Sequence, residues 1–484
     1  MTALDRLVNA CLLPGFDGTE VPSWVDTALA DGLAGVLLFP HNLDGPDAIR
    51  QLATAVRADH PDALVAIDEE GGDITRLEYR TGSRYPGNLA LGVVDDLALT
   101  REVAAAIGAD LVAAGVNYNL APSLDVNSDP DNPVIGVRSF GPDPELVAAH
   151  GAAYIRAMRD AGIATAAKHF PGHGATVVDS HHALPVIDCD LETFHRRELA
   201  PFVAAIEAGV PSLMIAHAVY QTVDPGIPAT LSRKILHDLV RTELGYQGVL
   251  LSTAPALEAA DGLASVVATS VRSLQAGADL LLLGPADGEQ LCAGIRAAVT
   301  DAVREGELDV ATLEAAAARV NVMRAAAKAG SAPTSNGTPG RSAAKRAAQV
   351  TGDVALSGPA TVVELRALGN VVAGEAYWSV ADRLAERGLL AQGIRISEDE
   401  PDFDPLATLA ADHPLVIVVR DAYRQPRQRA RVQQLLAKRP DAVLVAVGMP
   451  DDAALTDGAS IRTFGAGRVN TDVAAELLAG GRDG

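Results

Sequence analysis

At 484 residues the chain exceeds the ~250–300 residues that one hydrophobic core ordinarily organises, so two domains are expected. Its 48% hydrophobic, 21% charged and 4% aromatic residues are the balance of a folded globular protein and exclude a disordered chain. The formal charge of -23, from 62 acidic against 39 basic residues, argues against nucleic acid and anionic membranes as partners.

The first residues carry no basic stretch leading into an apolar run, and no segment reaches about 18 uninterrupted apolar residues, so a cytoplasmic protein is expected. Cys11, Cys189 and Cys292 are odd in number and show no C-x-x-C spacing, which points to free thiols and not to a disulfide framework or a zinc knuckle.

Short apolar runs follow in order: GVLLF at 35, ALVAID at 63, VNYNLAP at 116, TAAKHF at 165, SLMIAH at 212, GVLLS at 248 and DLLLLG at 279. Helical patterns separate them, among them 46–60, 145–162, 191–209 and 231–245. Strict alternation of strand and helix predicts a parallel sheet. Polar and titratable residues cluster at the ends of several different strands, which favours a closed (β/α)8 barrel over an open doubly wound sheet. Seven strands are legible, and the eighth is expected as an irregularity where the barrel starts or closes.

A helical pattern at 308–328 leads into AGSAPTSNGTPGRS, whose Gly, Ser, Pro and Thr content predicts a surface linker. The expected division is therefore 1–330 for the barrel, 331–350 for the linker and 351–484 for a smaller domain. In that last part TVVEL at 361, LVIVV at 415 and AVLVAV at 442 alternate with helical patterns at 378–388, 425–438 and 471–479. A three-layer α/β domain without a phosphate-binding glycine loop is predicted.

The chemistry concentrates in KHFPGHGATVVDSHHALP, residues 168–185, where a strand ends in Lys-His and runs into a glycine-rich loop with an Asp-x-His pair. Titratable groups at the C-terminal end of a barrel strand are where barrels build active sites. A metal is the rival chemistry for His169, His173, His181 and His182, but no zinc-like spacing with a third ligand stands out. No metal and no cofactor are expected.

This loop resembles the signature of family 3 glycoside hydrolases, specifically the bacterial β-N-acetylglucosaminidases. DEEGGDITRL from Asp68, NLAPSLDVNSDPDNPVIGVRSFG from Asn119, MIAHAVY and PATLS are similar to further segments of that family and fall in its order. The resemblance implies that Asp68, Arg76, Arg138, Lys168 and His169 bind a non-reducing amino sugar, whose hydroxyls suit short charge-assisted hydrogen bonds. It implies that His181 is the acid/base, steered by Asp179, since an imidazole beside a carboxylate can be held near neutrality. His173 and His182 are left as loop scaffolding or alternatives to it.

Two positions depart from the family. Asp73 stands where arginine is usual. After GVLLS the family places an aspartate nucleophile, whereas this chain has Thr253, followed by Ala254 and Pro255. An uncharged hydroxyl stabilises an oxocarbenium-like centre far less than a carboxylate. The loss should raise the barrier by roughly 5 kcal/mol or more, about 10⁴-fold in rate. Glu258 and Asp261 lie downstream but would need a large rearrangement to substitute. The expected function is a β-N-acetylhexosaminidase-type glycoside hydrolase, with altered glycosyl transfer or phosphorolysis and a non-catalytic amino-sugar-binding protein as alternatives. The partner is a small amino sugar or glycoside, and the oligomeric state is open.

Overall fold

The structure, a computed structural model, describes residues 1–43, 47–176, 184–253, 262–327, 335–366, 377–397 and 412–480. They fall into two compact units that interleave along the chain: Met1–Glu69, Thr100–Ile135 and Pro142–Ser335 in one, and Glu70–Leu99, Gly136–Gly141 and Asn336–Gly484 in the other.

The first unit is a (β/α)8 barrel. Its eight parallel strands are Leu12–Leu13, Gly35–Leu37, Leu64–Ile67, Tyr118–Asn119, Ala164–Phe170, Ser212–Ile215, Val249–Ser252 and Leu280–Leu282. Each pairs with the next in chain order from Gly35 onward, and the first pairs with the last through Leu12↔Leu281 and Leu13↔Leu282. Leu37 N donates to Pro14 O at 2.9 Å, which brings the second strand onto the first and closes the ring. The strand missing from the sequence pattern is thus Leu12–Leu13, too short at two residues to show a period.

The fourth strand is almost as short, and side chains complete its ladder. Asn117 Oδ1 accepts Val65 N at 2.8 Å while its Nδ2 donates to Ala63 O at 3.0 Å, and Asn119 repeats this arrangement with Glu69 N at 3.0 Å and Glu69 O at 2.9 Å. Buried amides therefore replace peptide groups, which is how the backbone of a two-residue strand stays satisfied.

The barrel interior is apolar and mixes large with small. Leu13, Leu37, Leu64, Leu251 and Leu280 pack with Ala66, Ala164 and Ala166, and Val320 and Met323 from the helix Val310–Ala326 join the same cluster. Tyr118 lies in this core with its hydroxyl against Ser212 Oγ at 2.8 Å, so its polar end is not stranded. Outside the strands, Pro144–Asp160 shows how these helices start: Asp143 caps Glu145 N at 2.9 Å and Pro144 occupies the first turn.

The second unit is built on a six-stranded sheet in the order Gln349–Thr351, Ser460–Arg462, Val443–Ala446, Leu415–Val419, Ala360–Arg366, Leu390–Ser397. All its pairings are parallel except that of the first strand with Ser460–Arg462. Val380–Glu386 and Arg468–Leu478 cover one face and Pro426–Lys438 the other, which gives three layers. Leu390–Ser397 escapes the sequence pattern because it is an edge strand with mostly exposed or half-buried positions.

Residues 70–99 and 136–141, which a cut along the sequence leaves with the barrel, group with this second unit. Leu89, Ala90 and Val137 share a core there with Ala347, Met449 and Phe464. Of the expected linker 331–350, residues 331–334 lie outside the described residues and Thr338–Ala347 is a helix, with Pro339 in its first turn and buried Ala343, Ala344 and Ala347 on its apolar side. No helix among the described residues is long and apolar enough to cross a membrane.

Candidate active site

All barrel strands run the same way, so the residues just after them share one end of the barrel. Asp68 follows the third strand, Ser123 and Asp125 follow the fourth, Lys168 and His169 close the fifth, and Thr253 follows the seventh.

Lys168 is buried, and its Nζ donates to Asp68 Oδ1 at 2.8 Å; the Asp68 side chain is 24% exposed, so the pair faces outward through its carboxylate. Next to it lies a denser network centred on Asp125, which is fully buried. Its Oδ2 meets His169 Nδ1 at 2.7 Å and accepts Ser123 Oγ at 2.9 Å. Its Oδ1 accepts His169 N at 3.2 Å and His173 N at 2.7 Å. Burial pushes the Asp125 carboxyl up, but the imidazole and hydrogen bonds of His169 outweigh it and hold it at about 2. An ionised Asp125 fixes His169 with a proton on Nδ1.

The glycine-rich loop begins at Gly172, which has φ 140 and whose added Cβ would lie 2.2 Å from Glu198 Oε2. A Cβ on Gly174 would lie 1.8 Å from Val126 O, so the loop passes too close to its neighbours for a side chain at either point. His173 is buried, with its carbonyl accepting Asn132 Nδ2 at 2.9 Å and its ring edge-on to His169 at 6.1 Å. Asp179, His181 and His182 lie outside the described residues, as do Glu258 and Asp261.

Against Gly172 sits Glu198, 1% exposed, with Oε1 accepting Arg197 Nε at 2.5 Å and Oε2 without a hydrogen-bond partner among the described residues. Burial pushes its carboxyl up to about 6; Arg197 pulls down and Asp125 pushes further up. Tyr220 donates to Gly172 O at 2.5 Å from the other side of the same loop. Neither Asp125 nor Glu198 stands out from sequence patterns alone. Asp125 lies inside the NLAPSLDV stretch, where a charged residue three positions after a proline-ended strand was the available signal; Glu198 is one of many acidic residues on a helical pattern.

Thr253 is half-buried, and its Oγ1 donates to Ile215 O at 3.1 Å, its one hydrogen bond among the described residues. No base touches that hydroxyl there. Ser252 Oγ, one residue before, lies 3.2 Å from Ser273 Oγ.

Arg76 and Arg138 belong to the second unit. Arg138 forms a bidentate pair with Glu70, Nη2 to Oε1 at 2.8 Å and Nε to Oε2 at 3.0 Å, and Arg76 is buried. Asp73 is buried in that unit too, accepting Ala466 N at 2.7 Å and pairing with Arg420 Nη2 at 2.8 Å. Its carboxylate thus has a structural partner in Arg420. Among the described residues no group of three or more His, Cys, Asp or Glu side chains is placed to hold a metal ion.

Residues 19–323 match the model of the glycosyl hydrolase family 3 N-terminal domain. Beta-hexosaminidase A of Pseudoalteromonas piscicida is 36% identical over 273 residues, 52% of this chain, and the chain spans only 46% of that relative. Beta-hexosaminidase of Alkalilimnicola ehrlichii is 34% identical over 281 residues, 56% of this chain and 80% of that one. Among solved structures, a glycoside hydrolase family 3 beta-N-acetylglucosaminidase from Paenibacillus sp. superposes with a TM-score of 0.89 at 29% identity, over 99% of this chain and 97% of that one.

Proposed function

The chain belongs to glycosyl hydrolase family 3, and from that premise we propose that it takes a terminal β-linked N-acetylglucosamine at the C-terminal ends of its barrel strands, with β-N-acetylhexosaminidase-type hydrolysis as its reaction and turnover held low by Thr253. The carrying observation is the pre-organised charge at three successive strand ends, Lys168 against Asp68 at 2.8 Å and His169 against Asp125 at 2.7 Å. A sugar hydroxyl that both donates and accepts fits between an ammonium and a carboxylate, and groups fixed in advance lose little entropy on binding. On the resemblance alone, Arg76 and Arg138 are further sugar ligands, and His181 steered by Asp179 delivers the proton to the leaving oxygen and later takes one from water.

Thr253 limits the first half of the chemistry, in which a glycosyl–enzyme bond would form as the aglycone leaves. The Thr253 hydroxyl is turned to the Ile215 carbonyl with no base in contact among the described residues, and an uncharged hydroxyl so placed offers neither a ready covalent glycosyl intermediate nor the charge stabilisation of a carboxylate. The same bond favours a second reading, an amino-sugar-binding protein that has given up hydrolysis. We assign the protein to the cytoplasm, in keeping with Cys11, Cys189 and Cys292 as free thiols.

Calorimetric titration with N-acetylglucosamine and a chromogenic β-N-acetylglucosaminide assay, with and without phosphate, test this together. Saturable sugar binding and slow colour release indifferent to phosphate are expected. Absence of binding at about 10 mM sugar contradicts the sugar site, and phosphate-dependent release contradicts hydrolysis in favour of phosphorolysis.

A further inference from the structure

The opposite end of the barrel holds a cavity of about 300 Å³ that the sugar chemistry does not use. It opens where Gly277, Ala278 and Asp279 lead into the strand Leu280–Leu282, and it is lined also by Arg233, His237, Arg241, Thr312 and Arg319. Part of this cluster is scaffold. Asp279 is buried and accepts Arg241 Nη2 at 2.5 Å, Arg319 Nη1 at 2.9 Å and Leu250 N at 2.7 Å. Arg241 spends its other donors on Tyr246 O at 2.8 Å and Gly248 O at 2.7 Å, so it staples the strand starts together.

The remainder has no such use. Arg319 makes no hydrogen bond besides that to Asp279, and Arg233 makes neither hydrogen bond nor ion pair, among the described residues. His237 gives Nδ1 to Asp238 at 2.8 Å, which leaves Nε2, and the Thr312 hydroxyl has no partner among the described residues. Three arginines against Asp279 leave a formal surplus of two positive charges around one cavity, in a chain whose net charge is -23. Like charges gathered without a counter-charge repel, and an anion relieves that repulsion.

We propose that this cavity binds the phosphate group of a small phosphorylated ligand. Donors converge from separate elements, with Arg233 and His237 beside or on the helix Lys234–Glu243 and Thr312 and Arg319 on Val310–Ala326. Such a spread matches a tetrahedral oxyanion, which accepts in several directions, better than a planar carboxylate, which one arginine satisfies bidentately. The first turn of Val310–Ala326 adds its positive end, although Asp309 already takes Ala311 N at 2.9 Å. The cavity exceeds what inorganic phosphate fills, so the phosphate is expected to carry an organic group such as a sugar.

Isothermal titration of the full chain with inorganic phosphate, a sugar monophosphate and acetate, at matched ionic strength, tests the proposal. The sugar monophosphate should bind with a Kd of about 1 mM or tighter, more tightly than phosphate, with acetate silent. Arg233→Gln combined with His237→Gln should weaken it about tenfold or more, and Thr312→Val should weaken it while leaving the fold intact, since Arg233 is exposed and His237 and Thr312 are only half-buried. Binding that persists in these variants and vanishes in Lys168→Ala places the anion in the sugar site and overturns the proposal. Binding of acetate equal to that of both phosphates, or no saturable binding of any, overturns it as well.

Discussion

Two barrel strands flank Ser212–Ile215, and their ends are built in opposite ways. Ala164–Phe170 ends in Lys168 and His169, held by carboxylates after the third and fourth strands respectively, and Asp125 alone gathers donors from Ser123, His169 and His173. Val249–Ser252 ends in short neutral hydroxyls turned back on the scaffold, Ser252 to Ser273 and Thr253 to Ile215. The first end carries fixed charge; among the described residues the second, which stops at Thr253, carries none. On the proposed function, recognition and bond-making would rest on separate strands, so that a single side chain is enough to weaken one while the other stays whole.

The sharpest way to break that contrast is to restore charge at the weaker end. Thr253→Asp should raise turnover of β-N-acetylglucosaminides by about 10²- to 10⁴-fold, with little change in sugar affinity, as read from kcat and calorimetry in parallel. Unchanged kcat with intact binding would mean that the seventh strand is not where the chemistry is missing.

Emptying the stronger end should be costly to the fold. Asp125→Ala strands the donors of Ser123, His169 and His173 in a buried site, and urea unfolding should show a loss of about 3–5 kcal/mol. A loss below about 1 kcal/mol would show that the network is not what fixes this strand end. Lys168→Ala keeps Asp125 in place and should act on the ligand instead, weakening N-acetylglucosamine binding about 10- to 100-fold through loss of a charged hydrogen bond.

Acidity separates the two buried carboxyls beneath the stronger end. Asp125 is held down at about 2, so its contribution is present above the ordinary carboxylate range and is lost as pH falls toward 2. Glu198 is raised from 4.5 to about 6, so the stability it confers is full below 4.5 and declines as pH rises through 6. Glu198→Gln should remove about 2 kcal/mol of that decline, measured as the difference between the variant and parent unfolding curves at pH 4.5 and 7. Identical pH slopes would contradict a buried ionisable Glu198. The smallest change is expected from Thr253→Val, which loses one half-buried hydrogen bond and about 1 kcal/mol.

Much of this architecture was legible in the sequence because burial leaves a period or a run. Most positions of seven barrel strands and of the three central strands of the second sheet are buried, so apolar runs such as GVLLS and LVIVV stand out. Leu12–Leu13 was hidden by length, and Leu390–Ser397 by its exposed edge. The interleaving of the units was hidden for another reason: Leu89 and Val137 find their core partners, such as Met449 and Phe464, hundreds of residues away, and no local pattern encodes that pairing. Lys168, His169 and Thr253 stand at strand ends, which the apolar runs and the motif order mark in the sequence. Asp125 was missed because its role is to orient other groups, and Glu198 because burial of a carboxylate on an amphipathic helix is a tertiary fact. Asp73, a departure in sequence, proved to be one half of a buried ion pair with Arg420.

The proposal that no carboxylate nucleophile works at the end of the seventh strand is tested most directly by trapping. Wild-type protein and Thr253→Asp would each be incubated with a fluorinated N-acetylglucosaminide bearing a good leaving group, and their intact masses compared. The expected result is an unmodified wild-type chain and a variant that gains one sugar at position 253. A wild-type chain that gains one sugar, mapped by peptide sequencing to a carboxylate such as Glu258 or Asp261, would contradict it.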